Sequence, residues 1–331
     1  LRGWGGENMQ SSGVTITKHY RELAYMGLWE VISHLPTILK NIDTCWNEIQ
    51  DFKPDALVLI DFPGFNMRIA QKARKAGIKV YQVVAPQVWA WKKGRVKNLA
   101  RDYTAVFPVL PFEHDLLSTS GVPSIYHGHP IIDTLEKIET NNNLDGNKPI
   151  LALLPGSRKQ ELKKMLPLLL EVAQQLPSMR AVIAGAPGAS KELYQRAEKV
   201  GVEVQFGKTR DILKTAQLAV ITSGTATLEA GLLGTSHVLV YKTSWLTYCA
   251  AKLVIKVKFI GLTNLILGRE VVPELIQTDC TVENIKRELL SEKVKAQSKA
   301  FQELRMFLGD KGASEKIAQT ILELTSVDKS S

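Results

Sequence analysis

Residues 150–161, ILALLPGSRKQE, decide the fold. Five apolar residues have the pattern of a buried strand, Pro-Gly-Ser forms a turn, and the polar residues that follow open a helix. Ser157 and Gln160 have the spacing of a capping box, which predicts that this helix begins beside Ser157. A continuous apolar strand that runs into a helix is typical of a parallel sheet covered by helices on both faces.

The same alternation of apolar runs and helical stretches continues through most of the chain. We expect further strands at residues 55–60, 78–84, 104–109, 124–126, 180–184, 202–206, 218–221 and 238–241. The polar, turn-rich segment 141–148 separates two sets of strands. Residues 283–324 have helical spacing, with a break at 309–312. The sequence therefore predicts an α/β protein with two domains.

The composition is that of a globular protein with an excess of positive charge. Of 331 residues, 45% are hydrophobic and 23% are charged, which excludes a disordered chain, a collagen and a coiled coil. The 42 Lys and Arg outnumber the 33 Asp and Glu, and the net charge of +9 favours a phosphorylated ligand, a membrane surface or nucleic acid as partner. The three cysteines form no CxxC pair, and no run of about 20 apolar residues occurs, so we expect neither a zinc ribbon nor a transmembrane helix.

The turn at residues 155–158 is a candidate anion site. A helix N-terminus after a glycine turn presents free N–H groups and the positive end of the helix dipole to a ligand. Arg158 adds a guanidinium fork that suits phosphate. The alternative is a plain strand-to-helix turn with an arginine on the surface.

A second turn of this kind lies at residues 221–229, ITSGTATLE. Ser223 and Thr225 either cap the following helix or bind phosphate oxygens. Glu229 either accepts hydrogen bonds from a ribose diol or is exposed to solvent. Because ligands of α/β proteins bind at the carboxyl ends of strands, two such turns favour the two edges of one nucleotide cleft.

A carboxylate follows a predicted strand of the first half, in the segment 59–66, LIDFPGFN. Asp61 is placed to act as a general base that faces a cleft between domains. The alternative is that Asp61 caps the next helix. We expect Asn66 to be a turn or cap residue.

Residues 88–97, VWAWKKGRVK, combine two tryptophans with four basic residues. They predict either an aromatic, cationic surface for nucleic acid or lipid phosphate, or one core tryptophan beside a solvated basic helix.

Two histidines, His127 and His129, flank Gly128. Metal ligands need support from further side chains, and no carboxylate or cysteine has a helpful spacing here. We expect a structural turn, or a ligand contact from His129, and no bound metal.

Residues 25–40 are unusually apolar. They predict either a core helix or a helix that lies on a membrane or lines an acyl-chain groove. The apolar side chains in question are Met26, Leu28, Trp29, Ile32, Leu35 and Leu39.

Taken together, these segments resemble the lipid-A-disaccharide synthases, bacterial glycosyltransferases with the two-domain GT-B architecture. The matching segments lie in family order between Gly3 and about Cys280: MGLWEV (26–31), DFPGFN (61–66), APQVWAWKKGRVK (85–97), PFE (111–113), GHP with Asp133, LLPGSRKQE (153–161), SGTATLE (223–229), LTNLI (262–266) with Arg269, and VPELIQ (272–277). The family begins with a strand, a Gly-Glu-x-Ser-Gly-Asp loop and a helix that would precede Leu1, so we expect an N-terminally incomplete chain. The family often has a second acidic residue where this chain has Gly64.

The resemblance implies an inverting transfer in lipid A biosynthesis. The 6-hydroxyl of 2,3-diacylglucosamine 1-phosphate attacks the anomeric carbon of UDP-2,3-diacylglucosamine, which gives lipid A disaccharide 1-phosphate and UDP. The resemblance implies Asp61 as the catalytic base, no metal or other cofactor, and stabilisation of the leaving diphosphate by Arg158 and the helix near Ser157. The implied residues of the donor and UDP site are Gly156, Ser157, Arg158, Ser223, Gly224, Thr225, Thr227, Glu229, Asn264, Arg269 and Glu274.

The resemblance also implies two Rossmann-like domains with a cleft between them. Residues 1–145 would bind the acceptor and face the membrane, residues 146–311 would bind the UDP-sugar, and residues 312–331 would pack back on the first domain. The apolar segment at 25–40 would then contact acyl chains or the cytoplasmic face of a bacterial inner membrane. The expected partners are the two lipid substrates rather than nucleic acid, and exchange of the C-terminal segment would give a homodimer.

Two other functions fit parts of the sequence. Another GT-B enzyme, a UDP-N-acetylglucosamine transferase or epimerase, would share the pattern SGTATLE, but the apolar segment and the DFPGFN and VWAW motifs argue against it. A nucleotide- or RNA-binding module would use the basic segment 88–97, and steeply salt-dependent RNA binding would support it.

Overall fold

A computed structural model of the chain describes residues 1–23, 35–91, 93–135, 148–186, 188–222, 224–245, 248 and 257–326. These residues form two α/β units whose strands all pair in parallel, which confirms the predicted fold class. The expected boundary between residues 145 and 146 lies outside the described residues.

The first unit contains two small sheets. Strand β1 (Arg2–Gly5) pairs with β2 (Thr15–His19), and β3 (Ala56–Ile60), β4 (Lys79–Val83) and β5 (Ala105–Phe107) form a three-stranded sheet in that order. The α-helices described in this unit are Glu7–Ser11, Leu35–Phe52, Pro63–Lys75, Val88–Trp91, Val96–Asp102, Pro111–Thr119 and Ile131–Leu135. Apolar side chains of these helices cover one face of the β3–β5 sheet, where Ile69 and Leu99 pack with Val80 and Val106.

The second unit is built on a six-stranded sheet in the order β11-β10-β9-β6-β7-β8. The strands are β6 (Ile150–Leu154), β7 (Arg180–Gly185), β8 (Glu203–Phe206), β9 (Leu218–Thr222), β10 (Ser236–Tyr241) and β11 (Glu274–Ile276). The α-helices are Lys159–Gln174, Gln195–Lys199, Thr209–Thr215, Thr225–Leu233, Leu262–Leu267, Val282–Leu289, Glu292–Lys295 and Gln297–Leu308. Every residue of β6 is buried because helices cover both faces of the sheet.

A helix from the end of the described chain, Ala313–Ser326, packs on the first unit. Its Ile317 lies against Tyr81 and Phe107, on the face of the β3–β5 sheet opposite to the core described above. This helix therefore closes the second face of a sheet that belongs to the other half of the chain.

Polar side chains of the first unit bind both ends of this helix. At its start, the Asp133 carboxylate accepts hydrogen bonds from the backbone N–H groups of Gly312 (2.7 Å) and Ser314 (3.0 Å). At its end, Lys79 Nζ donates to the carbonyl oxygen of Leu324 at 2.5 Å. These contacts satisfy backbone groups that a helix leaves unpaired at its termini.

Several elements differ from the sequence prediction. The expected strand at 124–126 is wrong, because only a single bridge joins Ser124 to Val106. Strands β1, β2 and β11 were not predicted. The break expected at 309–312 is confirmed, since one helix ends at Leu308 and the next begins at Ala313.

Candidate active site

The carboxyl ends of β6, β7, β9 and β10 open onto a cavity of about 540 Å³, here called cavity 1. Parallel strands bring their following loops together at this edge of a sheet. The lining residues are Leu154, Gly156, Ser157, Arg158, Glu161, Ala184, Ala186, Thr209, Thr222, Gly224, Thr225, Ala226 and Tyr241. Both turns that the sequence singles out therefore contribute to one cavity.

The turn after β6 is closed by a carboxylate. Glu161 Oε2 accepts hydrogen bonds from the backbone N–H groups of Ser157 and Arg158, both at 3.2 Å, and its Oε1 accepts one from Arg158 Nη1 at 3.2 Å. Gly156 has a φ of +101°, and a Cβ there would lie 2.7 Å from Glu161 Oε2, so only glycine fits. The predicted cap pair of Ser157 and Gln160 is wrong by one residue: Arg158 is the N-cap and Glu161 closes the turn.

The donors of this turn already hold one anionic group, the carboxylate of Glu161. The N–H groups of Ser157 and Arg158 and the Arg158 guanidinium all point to the Glu161 carboxylate. A phosphate oxygen that enters cavity 1 at this point competes with Glu161 for the same donors. The side chain of Arg158 is 66% exposed, so a swing towards a ligand would exchange its ion pair with Glu161 for one with the ligand.

The turn after β9 presents a glycine and a threonine to cavity 1. Gly224 has a φ of +132°, and Thr225 begins the helix Thr225–Leu233. The Thr227 hydroxyl is turned inward and donates to the Gly224 carbonyl oxygen at 3.0 Å. Ser223 lies outside the described residues.

Glu229 is bound by an arginine that the sequence analysis missed. Arg210 donates to Glu229 Oε1 from Nε (3.0 Å) and Nη2 (2.8 Å), and its Nη1 donates to the Thr134 carbonyl oxygen at 3.3 Å. Glu229 is not among the residues that line cavity 1. The structure therefore places Glu229 in an ion pair within the second unit, and the hydrogen bond from Arg210 to Thr134 ties that pair to the first unit.

Thr222, at the end of β9, is a buried polar residue in the wall of cavity 1. It is 2% exposed, and its hydroxyl has no hydrogen-bond partner among the described residues. A buried hydroxyl without a partner costs free energy, so this one is expected to bind a ligand atom or water. Its place at the end of the apolar run 218–222 is the sequence signal that would have found it.

A second cavity of about 460 Å³, here called cavity 2, lies between the two units. Its walls are Asp61, Pro63, Val84, Ala85, Pro86, Gln87, Val88, Arg95, Val109, Leu110, Glu113, His129 and Pro130 of the first unit, with Thr225 and Leu262 of the second. Thr225 lines both cavities. Asp61 and the turn at 155–158 therefore open onto adjoining parts of one cleft.

Asp61 lies in a strained turn at the carboxyl end of β3. Asp61, Phe62 and Val84 have positive φ values of 48°, 44° and 65°. Non-glycine residues adopt this conformation rarely, and such residues cluster at functional sites. Asn66 lies inside the helix Pro63–Lys75 rather than in the turn or at the cap, but its Nδ2 donates to the carbonyl oxygens of Ile60 (3.2 Å) and Asp61 (2.7 Å) and so holds the turn.

Glu113 is a buried carboxyl in the wall of cavity 2. It is 3% exposed, Trp89 Nε1 donates to its Oε1 at 2.8 Å, and the Leu110 N–H donates to its Oε2 at 3.3 Å. Burial raises the pKa of Glu113 to about 7, although these hydrogen bonds oppose the shift. Trp89 is thus the inward tryptophan of the segment 88–97, and the side chains of residues 90–93 lie outside the described part of the chain.

The comparison with known proteins identifies the family. The family model for lipid-A-disaccharide synthetase matches residues 1–322. The chain belongs to the lipid-A-disaccharide synthase family. It is 35% identical over 340 residues to the lipid-A-disaccharide synthase of Myxococcus xanthus, which covers 97% of this chain and 89% of that protein. It is 36% identical over 347 residues to that of Syntrophus aciditrophicus, which covers 99% of this chain and 90% of that protein.

Solved structures support the GT-B architecture expected of a lipid-A-disaccharide synthase. A UDP-GlcNAc 2-epimerase from Neisseria meningitidis aligns with a TM-score of 0.62 and 15% identity, over 94% of this chain and 86% of that one. A putative UDP-N-acetylglucosamine 2-epimerase from Listeria monocytogenes aligns with a TM-score of 0.61 and 13% identity, over 98% of this chain and 86% of that one. At these identities the likeness concerns the fold alone.

Two residues that the lipid-A-disaccharide synthase resemblance assigned to the donor site hold a loop together. Asn264 is fully buried: its Nδ2 donates to the Val272 carbonyl and to Glu274 Oε1, both at 2.8 Å, and its Oδ1 accepts from the N–H groups of Val271 and Val272. The other carboxylate oxygen of Glu274 accepts from the Ile260 N–H at 2.9 Å. Neither residue lines cavity 1 or cavity 2.

The remaining residues expected from the family lie away from the two cavities or outside the described residues. Arg269 forms an ion pair with Glu303 on the surface. Leu39 is 48% exposed, and Leu35 begins the helix Leu35–Phe52, whereas Met26, Leu28, Trp29 and Ile32 lie outside the described residues. Within the described ranges, no helix is long and apolar enough to span a membrane, and no three His, Cys, Asp or Glu side chains cluster as metal ligands.

Proposed function

We propose that this chain joins UDP-2,3-diacylglucosamine to 2,3-diacylglucosamine 1-phosphate, and so makes lipid A disaccharide 1-phosphate and UDP. Family membership over residues 1–322 supports this activity. The observation that carries the proposal is the continuity of the cleft: Thr225 lines both cavity 1, with its anion-binding turn, and cavity 2, with Asp61. One nucleotide-sugar can therefore reach from the turn at 155–158 towards Asp61.

Asp61 is proposed as the general base. Its carboxylate takes the proton of the acceptor 6-hydroxyl while that oxygen forms a bond to the anomeric carbon of the donor sugar. The bond from the anomeric carbon to the diphosphate oxygen breaks in the same displacement, and UDP leaves with the electron pair. A single displacement inverts the configuration and needs no covalent intermediate on the protein.

The turn at 155–158 is proposed to stabilise the leaving diphosphate. The N–H groups of Ser157 and Arg158 and the Arg158 guanidinium would exchange the Glu161 carboxylate for diphosphate oxygens. Preorganised donors of this kind stabilise the charge that develops in the transition state. We propose that they take the place of a metal ion.

The uridine is proposed to bind deeper in cavity 1. The carboxyl ends of β7 and β9 supply Ala184, Ala186 and the buried, unpartnered Thr222 hydroxyl there. Small side chains leave room for a flat base, and a hydroxyl offers it one hydrogen bond.

The acyl chains of both substrates require access from a bilayer. We propose that the apolar segment at 25–40 docks on the cytoplasmic face of the bacterial inner membrane. The exposed Leu39 supports this assignment, and the net charge of +9 favours a surface of anionic lipid.

Replacement of Asp61 tests the proposal most directly. Asp61→Asn keeps the size of the side chain but removes the base, so we expect formation of the disaccharide, measured by mass spectrometry in mild detergent, to fall at least about 100-fold. Binding of UDP, measured by calorimetry, is expected to stay unchanged. Asp51→Asn, an exposed carboxylate at the end of the helix Leu35–Phe52, is the matched control. Near-normal turnover of Asp61→Asn would exclude its role as the base.

A further inference from the structure

We propose that His129 binds the nucleotide-sugar directly, and that its Nε2–H donates a hydrogen bond to a phosphate or sugar oxygen in the cleft. This inference rests on the proposed function for the identity of the ligand. It concerns a residue that neither the strained turn at Asp61 nor the turn at 155–158 includes.

The hydrogen bonding of the imidazole fixes the position of its proton. The Ile131 N–H donates to His129 Nδ1 at 3.0 Å, so Nδ1 carries the lone pair. A neutral imidazole whose Nδ1 accepts must carry its proton on Nε2. Burial lowers the pKa of His129 to about 4, so the ring is neutral at pH 7. His129 is therefore a hydrogen-bond donor without charge.

The donor atom is available to a ligand. Within the described residues Nε2 of His129 has no hydrogen-bond partner, and it is absent from the set of fully buried atoms that lack one. Nε2 therefore reaches open space, and the cavity that His129 lines is cavity 2. An N–H group that faces a cavity and has no hydrogen-bond partner can donate to an acceptor oxygen of a ligand.

Backbone contacts between the segment around His129 and the second unit hold the imidazole in place. The His129 N–H donates to the Leu308 carbonyl oxygen at 3.0 Å, at the end of the helix Gln297–Leu308. Gly128 has a φ of +97°, and a Cβ there would lie 2.9 Å from that same carbonyl oxygen. The Tyr126 hydroxyl donates to the Phe307 carbonyl oxygen at 3.2 Å. The close approach of this segment to the end of the helix Gln297–Leu308 fixes the position of the imidazole relative to both units.

The neighbours of His129 define which ligand atoms it meets. Asp61 and Thr225 line the same cavity, and Thr225 also lines cavity 1. A nucleotide-sugar that extends from cavity 1 to Asp61 passes between them, and it presents phosphate and sugar oxygens on the way. An uncharged donor stabilises such an oxygen but does not compete with Asp61 for the proton.

The second histidine of the motif has a different role. His127 Nε2 lies 2.9 Å from Thr320 Oγ1, and the ring stacks on Phe107 at a centroid distance of 6.2 Å. His127 thus joins the helix Ala313–Ser326 to the sheet and does not line either cavity. This separation makes His127 the matched control for His129.

Two substitutions at position 129 separate the roles of the two ring nitrogens. In His129→Asn the side-chain oxygen can still accept from the Ile131 N–H, but nothing replaces Nε2. In His129→Gln the amide nitrogen lies close to the position of Nε2. We expect kcat/KM for UDP-diacylglucosamine to fall roughly 10- to 100-fold in His129→Asn and to stay within about threefold of the unaltered chain in His129→Gln. His127→Asn is expected to leave kcat/KM unchanged.

Calorimetry with UDP and with UDP-diacylglucosamine identifies the oxygen. Weaker binding of both ligands to His129→Asn assigns the hydrogen bond to the diphosphate, and weaker binding of the sugar nucleotide alone assigns it to the sugar. Binding and turnover equal to those of the unaltered chain overturn the proposal, as does an equal loss in folded His129→Asn and His129→Gln. If the unaltered chain makes no disaccharide, the proposed function fails on that result, while the binding measurements still decide the role of His129.

Discussion

Replacing Gln82 with leucine is expected to disable the cleft without unfolding the protein. Gln82 is fully buried in β4, and its Nε2 donates to the carbonyl oxygens of Asp61 (3.2 Å), Val83 (3.3 Å) and Val84 (3.0 Å). Asp61 and Val84 are residues with positive φ, a conformation that costs on the order of 1–3 kcal/mol and persists only where the surroundings hold it. Gln82 is therefore a positioning residue for Asp61.

The cost in stability should be small because the losses and gains nearly cancel. The Asp61 carbonyl keeps the amide of Asn66 at 2.7 Å, and the Val83 carbonyl keeps the Asp61 N–H at 2.9 Å. Within the described residues, the Val84 carbonyl alone of the three loses its donor, which costs about 1–3 kcal/mol. Leucine also removes Gln82 Oε1, which is buried without a partner, and so recovers a similar amount.

The expected result is a loss of turnover that stability does not explain. We expect the free energy of unfolding in urea to change by less than about 2 kcal/mol. A displacement of a catalytic group by about 1 Å lowers turnover about 100-fold, so kcat for the disaccharide should fall by 10-fold or more.

The control is Gln205→Leu, on the edge strand β8. Gln205 Oε1 is likewise buried without a partner, but its Nε2 donates only to Glu203 among the described residues, far from the cleft. Normal kcat in folded Gln82→Leu, or the same loss of kcat in Gln205→Leu, would refute the reasoning.

Three carboxylates lead to further expectations. Glu161→Gln should weaken the internal competitor for the N–H groups of Ser157 and Arg158, so UDP should bind up to about tenfold more tightly in calorimetry; weaker binding would mean that Glu161 instead orients Arg158 for the ligand. Because burial raises the pKa of Glu113 to about 7, the folded state should lose up to roughly 3 kcal/mol as the pH rises from 4.5 to 7. Urea unfolding of Glu113→Gln should lack this step, and an identical pH profile would contradict the assignment. Burial acts to raise the pKa of Asp133, but the hydrogen bonds from Ser314 and Gly312 outweigh it and hold the pKa below its ordinary value. The ionised carboxylate therefore stabilises the folded state at neutral pH, and this stabilisation is lost as the pH falls below about 4. Asp133→Ala should therefore unfold about 1–2 kcal/mol more easily at pH 7, the difference should shrink as the pH falls below about 4, and a difference that does not change with pH would be evidence against this origin.

Strands β6, β7, β9 and β10 of the second unit were predictable because burial on both faces of the sheet leaves a simple signal, a continuous apolar run. A strand such as β6 is a continuous apolar run, and its predicted bounds are those of the structure. The missed strands lack this signal: β1 has two glycines in four residues, β2 has a single apolar residue in five, and β11 has three residues. Their pairing depends on contacts that no local pattern records.

Parts of the candidate site followed from the sequence for a similar reason. The turns that begin at Pro155 and Thr222 end apolar strands, so the topology brings them to one edge of the sheet. The partners of individual side chains were not predictable, since Arg210 meets Glu229 and Asn264 meets Glu274 only in the folded chain. Gln82 had a signal, because it is the one amide inside the apolar run 80–84, and a buried amide in such a run has hydrogen bonds to make.

The helix Ala313–Ser326 also bears on how the protein is made. Lys79 and Leu324, which its hydrogen bond joins, are 245 residues apart in the chain. At a ribosome, the sheet face that carries Tyr81 and Phe107 must therefore wait for the whole second unit to be synthesised before Ile317 can cover it. Until then the first unit exposes apolar surface, which favours aggregation or capture by a chaperone. A nascent chain arrested before residue 313 should thus be a chaperone client, although every strand described in the three sheets has already been translated.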